Sequence, residues 1–236
     1  ACGMACDESL TRAWTKALAG DPVSAFGGII AANRTIDRAT AEEINGIFFE
    51  VIIAPGFDAA SLQILKQKKN RIILKINKFP SPAFSCRTAL NGWLWQEKDS
   101  LSIVNDELVC VTSRKPDERE SIDLEFANRL VMHTKSNAIV IVRDRQLIGS
   151  GAGQTSRVDA VKQALEKAQT FGFDTKGAVM ASDAYFPFPD SITLAAAAGV
   201  SAVIQPGGSV RDKESVEECD RNNIAMIFTG RRHFKH

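Results

Sequence analysis

Three loop blocks in the last third of the chain hold the residue types best suited to binding a charged ligand. They span 181–190, 205–212 and 230–236, and the first two follow apolar runs typical of buried strands. The glycine pair of the second block precedes a predicted helix, so backbone N–H groups there are predicted to form an anion cradle. The last block holds two arginines and two histidines. Such a tail is usually frayed, but a strand predicted at 224–228 would anchor it, so both a frayed tail and one lying against a site stay open.

Three further polar or aromatic positions each allow two interpretations. Asn137, between a predicted helix and a buried strand, has an amide that can polarise a carbonyl or hold a substrate group, or that caps the helix. The pattern alone favours the cap. Asp190 is predicted to be the N-cap of a helix at 191–198, although a ligand contact is the other possibility. Tyr185 and its aromatic neighbours are either a ring-binding wall or loop packing.

A glycine-rich block at 149–153 invites comparison with dinucleotide-binding loops. Gln154 occupies the place of the third glycine, and no acidic residue ends a second strand at the expected distance, so this fingerprint is weak. The Gly-Lys-Ser/Thr of a P-loop is also absent from the block. The block is either a simple turn into a helix or a turn that aims N–H groups and Arg157 at a ligand, and we favour the ligand role.

Composition and cysteine usage narrow the functional classes. The net charge of +1 gives no general attraction to nucleic acid or membrane surfaces, so we expect neither as a partner. The five cysteines are scattered and odd in number, which indicates reduced thiols in a cytoplasmic protein. The three histidines include no His-x-x-x-His pair and accompany no nucleophile elbow, so the sequence supports neither a zinc site nor a catalytic triad.

Helix and strand patterns alternate along the chain, which predicts an α/β layered fold. Helical patterns occupy 7–18, 40–49, 58–68, 117–132, 156–168, 191–198 and 212–221, with strand patterns between them. Thr40 and Glu43 stand in capping-box positions for the second of these helices. The proline-containing stretch 78–85 is the predicted boundary between two lobes, 1–84 and 85–236.

Taken together, seven segments resemble the AICAR transformylase domain of bifunctional purine biosynthesis enzymes. The matching segments are 21–28, 50–56, 135–137, 151–157, 182–190, 205–212 and 232–234. They follow the family's order over nearly the whole chain. The resemblance implies two cytidine-deaminase-like three-layer α/β/α lobes without the deaminase zinc. It also implies transfer of a formyl group from 10-formyltetrahydrofolate to the 5-amino group of AICAR, in the synthesis of IMP.

Carried over position by position, the resemblance assigns residues to each ligand. The AICAR nucleotide would contact Gly27, Glu50, Asn137, Tyr185, Arg232 and Phe234, with the last two contributed across a homodimer interface. Of these, Asn137 would also be catalytic, and Glu50 stands where relatives can carry aspartate. The folate would contact Arg157, Val158, Pro187, Asp190, Ser209 and Val210. A monovalent cation such as K⁺ would lie near Thr134, Ser136 and Asp183, with Lys235 where relatives can carry a histidine ligand.

The resemblance also implies a departure at the start of the chain. The family's catalytic Lys-His pair precedes the Cys-Gly seen here at Cys2 and Gly3. We therefore expect a first lobe truncated at its N-terminus, and near inactivity of this chain alone in formyl transfer, because the base for the amine proton is missing. The alternative is a non-catalytic fragment or subunit that only binds nucleotide or folate.

Overall fold

The computed structural model describes residues 1–78, 83–99 and 108–235, which form seven helices and eleven strands. The helices are α1 (Leu10–Ala19), α2 (Arg38–Asn45), α3 (Ala59–Leu65), α4 (Glu118–Met132), α5 (Arg157–Thr170), α6 (Asp190–Ala197) and α7 (Asp212–Arg221). The strands are β1 (Gly28–Ala31), β2 (Phe49–Ala54), β3 (Ile72–Lys75), β4 (Phe84–Ala89), β5 (Gly92–Glu97), β6 (Val109–Cys110), β7 (Ile139–Arg143), β8 (Gln146–Gly151), β9 (Val179–Ser182), β10 (Ala202–Gln205) and β11 (Ala225–Phe228). None of these helices is long and apolar enough to cross a membrane.

The larger sheet has six strands in the order β6-β11-β10-β9-β7-β8. Strands β9, β10 and β11 run parallel, whereas β6, β7 and β8 pair antiparallel with their neighbours. Every residue of β9 and β10 is buried, because α4 covers one face of the sheet and α5, α6 and α7 cover the other. This unit therefore has three layers, α/β/α. The four helices predicted from residue 117 onward are confirmed.

Two glycines let α5 lie directly against the edge strand β8. A Cβ atom at Gly149 would lie 2.2 Å from the carbonyl oxygen of Ala164, and one at Gly151 would lie 1.9 Å from that of Ala160. Neither position can carry a side chain without moving the helix backbone. These glycines of the 149–153 block therefore serve helix-to-strand packing, which the ligand-loop interpretation did not foresee.

The smaller sheet has three parallel strands in the order β1-β2-β3. Its inner face, which includes Ile30 and Ile52, packs against α1, α2 and α3. The opposite face carries Ile29, Ile72 and Leu74, which are 74%, 52% and 44% exposed. In the described residues this sheet is thus covered by helices on one face, whereas three layers are implied by the resemblance.

Backbone pairing and an ion pair join the two sheet units. Ala5 forms an antiparallel bridge with Gln146 at the edge of β8. The Lys167 ammonium on α5 lies 2.6 Å from the Asp21 carboxylate. Burial alone would raise the pKa of Asp21, but hydrogen bonds from Lys167 and from the Ser24 N–H hold it below its ordinary value. The loop that precedes β1 is therefore held against α5 by a charged pair.

In chain order, the two-stranded hairpin β4-β5 comes between the strands of the small sheet and those of the large sheet. The sequence analysis did not predict it. All residues of β5 are exposed, so the hairpin lacks the alternation of a half-buried strand. The rings of Phe84 and Trp95 stack across it, with centroids 5.4 Å apart. The predicted lobe boundary at 84/85 falls within the first two residues of β4.

The start of α2 differs from the predicted capping box at Thr40 and Glu43. The Asp37 side chain accepts a hydrogen bond from the Thr40 N–H at 2.8 Å and is the N-cap. Thr40 therefore lies in the first turn. The helix ends at Asn45 rather than near 49, because Phe49 begins β2 and is fully buried.

Candidate functional site at the carboxyl edge of the large sheet

The carboxyl ends of three parallel strands bring the predicted site loops to one edge of the large sheet. Strands β9, β10 and β11 are followed by 183–189, 206–211 and 229–235 respectively. Because the three strands are parallel neighbours, these segments emerge side by side. Ligands of open α/β sheets bind at this edge. The topology therefore brings the three blocks singled out in the sequence to the same edge of the sheet.

The last described residues lie against this edge and are not frayed. The His233 N–H donates to the Asp183 carbonyl at 2.9 Å, and the Ser136 N–H donates to the Lys235 carbonyl at 2.9 Å. The Lys235 N–H in turn donates to the Ser136 hydroxyl at 2.9 Å. These bonds hold 233–235 between the segment that follows α4 and the end of β9.

Arg157, the first residue of α5, is the centre of a buried polar cluster. Its guanidinium lies 3.0 Å from the Asp183 carboxylate, donates to the Tyr185 carbonyl at 3.2 Å, and reaches Asn137 Oδ1 at 3.4 and 3.5 Å. Burial lowers the pKa of Arg157, and the Asp183 charge opposes that shift. The folate contact of Arg157, and of half-buried Val158 beside it, stays a prediction.

The Asn137 amide, which follows a cis peptide bond, is oriented by the loop that precedes α5. Its Nδ2 donates to the carbonyl oxygens of Gln154 and Thr155 at 3.0 and 3.1 Å. The helix-cap interpretation is wrong, because α4 ends earlier with His133 as its C-cap. Both amide hydrogens are thus donated within the protein. Its Oδ1 receives only the two long contacts from Arg157 and can still accept a hydrogen bond.

Asp183 is a fully buried carboxylate with few donors around it. The Asp183 side chain is 0% exposed and that of Arg157 is 7% exposed. Within the described residues neither carboxylate oxygen has a hydrogen-bond partner, although Arg157 is at ion-pair distance. Buried carboxylate oxygens are normally satisfied, so these atoms mark a place that a cation or a further donor would stabilise. Among all the residues that the structure describes, there is no cluster of three or more His, Cys, Asp or Glu side chains that could hold a metal ion.

Tyr185 and Arg232, both predicted on the AICAR side, contact each other within one chain. The Arg232 guanidinium carbon lies 4.7 Å from the centroid of the Tyr185 ring, a cation–π contact. A Cβ atom added to Gly208 would lie 3.9 Å from Arg232 Nη2, so the same guanidinium also lies beside the loop after β10. Phe234, two residues further along the tail, is exposed.

The anion cradle predicted in the second block is not formed. The N–H groups of 207–209 all donate within the protein: the first to Gln205 Oε1 at 3.0 Å, and the other two to Asp212 Oδ2 at 2.7 and 3.1 Å. A carboxylate from the first turn of α7 therefore occupies the position of an external anion. Ser209 and Val210, predicted to contact folate, lie at the tip of this loop, and Val210 is fully exposed.

The loop after β9 presents Pro187 and Phe188 to solvent. The Arg211 guanidinium carbon lies 4.7 Å from the Phe188 ring centroid and so bridges this loop to the loop after β10. Asp190 is not the N-cap of α6, a position held by Pro189. It is the first helical residue, and its Oδ1 accepts the N–H of the next residue at 2.7 Å.

Gly27 and Glu50 belong to the small-sheet unit. Gly27 has a φ of +72°, and its N–H donates to the Phe48 carbonyl at 2.9 Å. Glu50 is exposed on β2. No hydrogen bond or ion pair within the described ranges joins either residue to Asn137 or Arg232. A single chain thus assembles the predicted residues of the large-sheet unit but does not link these two to them.

Sequence reasoning missed the residues that hold the buried His233 ring. Its Nδ1 lies 2.7 Å from Asp99 Oδ2, and its Nε2 lies 3.3 Å from Asn128 Nδ2. A signal for Asn128 did exist, because it lies within the apolar stripe of α4 that includes Leu124 and Val131. A polar residue at such a position needs a buried partner. Asp99 carries no comparable signal.

The chain matches the family described as AICARFT/IMPCHase bienzyme over residues 1–167. The bifunctional purine biosynthesis protein PurH of Bacteroides thetaiotaomicron is 56% identical over 236 residues, covering 100% of this chain and 46% of that protein. PurH of Acetivibrio thermocellus is 51% identical over 239 residues, covering 100% of this chain and 46% of that protein. PurH of Aquifex aeolicus is 48% identical over 235 residues and is covered to the same extent, 100% of this chain and 46% of that protein. The chain therefore spans about half the length of the curated relatives it matches.

One solved structure is similar over a smaller region. The diaminohydroxyphosphoribosylaminopyrimidine deaminase/5-amino-6-(5-phosphoribosylamino)uracil reductase of Thermotoga maritima aligns with 47% of this chain and 35% of its own, at 21% identity and a TM-score of 0.32. Agreement at that level does not bear on the fold.

Proposed function

Because the chain belongs to the AICARFT/IMPCHase bienzyme family, we propose that it forms part of the formyl-transfer site of a purine biosynthesis enzyme. The reaction would move the formyl group of 10-formyltetrahydrofolate to the 5-amino group of AICAR, giving formyl-AICAR for closure to IMP. The observation that carries the proposal is the cluster at the carboxyl edge of the large sheet. There, buried Arg157 contacts both Asn137 and Asp183, and the Asn137 amide oxygen is left able to accept a hydrogen bond.

The proposed reaction defines what the Asn137 oxygen would do. The amine nitrogen bonds to the formyl carbon and loses a proton, while the bond from that carbon to N10 of the folate breaks and N10 gains a proton. Asn137 Oδ1 would accept a hydrogen bond from the amine and so orient its lone pair toward the formyl carbon. We do not assign the base to His233, because both of its ring nitrogens are held by protein groups.

The two ligands would use different loops of the same edge. Tyr185, Arg232 and Phe234 are proposed for the nucleotide, because a guanidinium held on an aromatic ring can pair with an anionic group while keeping a fixed direction. The folate side is proposed to comprise Arg157, Val158, Pro187, Asp190, Ser209 and Val210. The contact of Arg211 with Phe188 supports this side, because it joins the loop that carries Pro187 to the loop that carries Ser209 and Val210.

The residues near Asp183 fit a monovalent cation such as K⁺. Hard monovalent ions take oxygen ligands, and Asp183 has two buried carboxylate oxygens that lack hydrogen bonds in the described structure. Ser136 and Thr134 would add hydroxyl oxygens; the Thr134 hydroxyl donates to the Leu130 carbonyl at 2.9 Å and keeps its lone pairs. The ion would supply positive charge beside Asp183, in addition to that of Arg157.

We further propose a two-lobe division at 84/85, lobes of the cytidine-deaminase-like type, and a cytoplasmic homodimer with shared sites. The three layers of the large-sheet unit support the lobe type. The dimer is supported by the finding that, in the described residues of one chain, no hydrogen bond or ion pair joins Gly27 or Glu50 to Arg232. A two-fold pair would let the small-sheet unit of one subunit meet the tail of its partner. Five free thiols agree with a reducing compartment.

Formyl transfer by the intact protein that carries this chain tests the proposal. Asn137→Ala should lower kcat by about 10²-fold, because the amine is then no longer held in its productive orientation. Asn222→Ala removes an exposed amide at the end of α7 and should leave kcat unchanged. Calorimetry with AICAR and with folate runs in parallel. Binding of both ligands without any formyl transfer would favour the binding-module alternative and contradict the proposal.

Subunit mixing tests the shared site. Glu50→Ala and Arg232→Ala proteins should each be impaired, and their mixture should regain activity, because a mixed dimer has about one site free of both lesions. Absence of recovery after demonstrated subunit exchange would place both residues in the same chain's site.

A further inference from the structure

His233 is a buried ring with a protein partner on each nitrogen. The residue is 2% exposed, and its partners are the Asp99 carboxylate and the Asn128 amide nitrogen, at 2.7 and 3.3 Å. A carboxylate only accepts and an amide nitrogen only donates, so the ring carries its proton on Nδ1 and accepts at Nε2. Through its backbone N–H the residue also binds Asp183. The segment after β5, helix α4 and the end of β9 thus meet at one residue of the tail.

The buried ring determines where its two neighbours point. Burial alternates along this part of the tail: Arg232 and Phe234 are exposed, and His233 between them is buried. With the ring held inside the protein, its two neighbours are directed outward. The Arg232 guanidinium then lies over the Tyr185 ring.

We propose that His233 is a positioning residue whose hydrogen bonds to Asp99 and Asn128 set the direction of the tail, so that Arg232 stacks on Tyr185 and is presented to an anionic nucleotide. That His233 places Arg232 over Tyr185 is argued from the geometry alone. That Arg232 is thereby presented to a nucleotide rests on the proposed function.

A substitution at Asp99 tests whether the hydrogen bonds of His233, rather than the volume of its ring, position the tail. Its side chain is 38% exposed, so its removal leaves no cavity in the core. Asp99→Ala nevertheless takes away the acceptor that fixes the ring through Nδ1. Asp174→Ala is the matched control, because Asp174 is a more exposed aspartate, with a side chain 71% exposed, and its contacts are with Lys176 and Arg143, away from the tail.

Tyr185 supplies an NMR readout that does not depend on activity. It is the one tyrosine of these 236 residues, and the Tyr185→Phe variant assigns its ring resonances among those of the ¹³C-tyrosine-labelled intact protein. Arg232→Ala gives the position of an unstacked ring. We expect Asp99→Ala and His233→Ala to move the resonance toward that position. His233→Asn, whose amide can still donate toward Asp99, should stay near wild type, as should Asp174→Ala.

Kinetics supply the second readout. Asp99→Ala and His233→Ala should raise KM for AICAR by about 2- to 5-fold, the equivalent of one exposed cation–π contact, without lowering kcat. The proposal is overturned if Asp99→Ala leaves both resonance and KM unchanged while Arg232→Ala alters them. It is also overturned if His233→Asn behaves like His233→Ala, since ring shape rather than hydrogen bonding would then set the tail. A wild-type protein that transfers no formyl group would defeat the proposed function, and the resonance would still decide the anchoring role.

Discussion

Replacing Arg157 by methionine would remove the counter-charge of Asp183 while keeping most of the apolar stem of the side chain. The two charged groups lie 3.0 Å apart, with side chains 7% and 0% exposed. In the described structure neither carboxylate oxygen of Asp183 has a hydrogen-bond donor that could take the place of this charge. The variant must therefore either bury an unpaired charge or fold with the carboxyl protonated.

Protonation of the Asp183 carboxyl sets an upper limit on the loss of folding free energy. An aspartate with an ordinary pKa of about 3.9 takes up a proton at pH 7 at a cost of about 4 kcal/mol, and at pH 5 at a cost of about 1.5 kcal/mol. This agrees with the range of about 3–5 kcal/mol for breaking a buried pair by removing one partner. The native variant binds a proton that its unfolded chain releases above pH 4, so its stability falls as the pH rises. The difference from wild type should therefore shrink by about 1.4 kcal/mol for each unit of acidification between pH 7 and pH 5.

Urea unfolding followed by tryptophan fluorescence, in buffer free of K⁺, measures this difference. Arg157→Met/Asp183→Asn should recover much of the lost stability, because no charge is then left unpaired. Arg129→Met, which breaks an exposed pair with Glu125 on α4, is the matched control and should cost about 0–1 kcal/mol. A penalty of the same size at pH 5 and pH 7 would refute the reasoning, since lost packing and not charge would then be its cause. A penalty below about 1 kcal/mol at pH 7 would show that another group already neutralises Asp183.

Three further outcomes are expected. Burial raises the pKa of Cys219 to about 12, so a thiol reagent at pH 8 should label exposed Cys6 rapidly and Cys219 only on unfolding; rapid labelling of both in native protein would contradict the structure. Lys167→Met should destabilise the protein at pH 7, and its difference from wild type in urea should vanish in acid. The reason is that Asp21 has a lowered pKa, so its stabilisation is present above 3.8 and lost as the pH falls through the folded-state value. Gly151→Ala should cost about 1–3 kcal/mol by overpacking, or prevent folding, because the added Cβ would lie 1.9 Å from a carbonyl oxygen of α5; an unchanged unfolding midpoint would mean that the helix lies further from β8.

The large-sheet unit was readable from sequence because burial on both faces leaves a strong signal. Strands buried on both faces appear as short apolar runs, and polar caps such as Asp117 and Ser156 mark where helices begin. The β4-β5 hairpin left no such signal, since its exposed residues face no core. The cap of α2 was misplaced because Asp37 and Thr40 are both good capping residues three positions apart, and only the backbone conformation distinguishes them.

The three blocks of the candidate site could be singled out from sequence, but their contacts could not. The alternation of elements predicts an α/β fold, whereas the strand order that brings the blocks to one edge is seen only in the structure. Sequence also does not decide whether Arg157 points to solvent or into the protein, because an arginine at the start of a helix suits either direction. The supposed anion cradle shows the same limit: Asp212 satisfies the N–H groups from four and three residues away, and sequence alone does not say whether such a carboxylate folds back.

The uncovered face of the small sheet predicts two cooperative units of unequal strength in this chain. Within the described ranges, strands β1–β3 have helices on one face only, whereas β9 and β10 are enclosed on both. Local opening of the small sheet therefore takes less free energy than opening of the large one. In hydrogen–deuterium exchange the amides of β2 would exchange through a partial opening, and those of β9 only through global unfolding. A ligand that contacts Gly27 and Arg232 at once would bring the two exchange rates together.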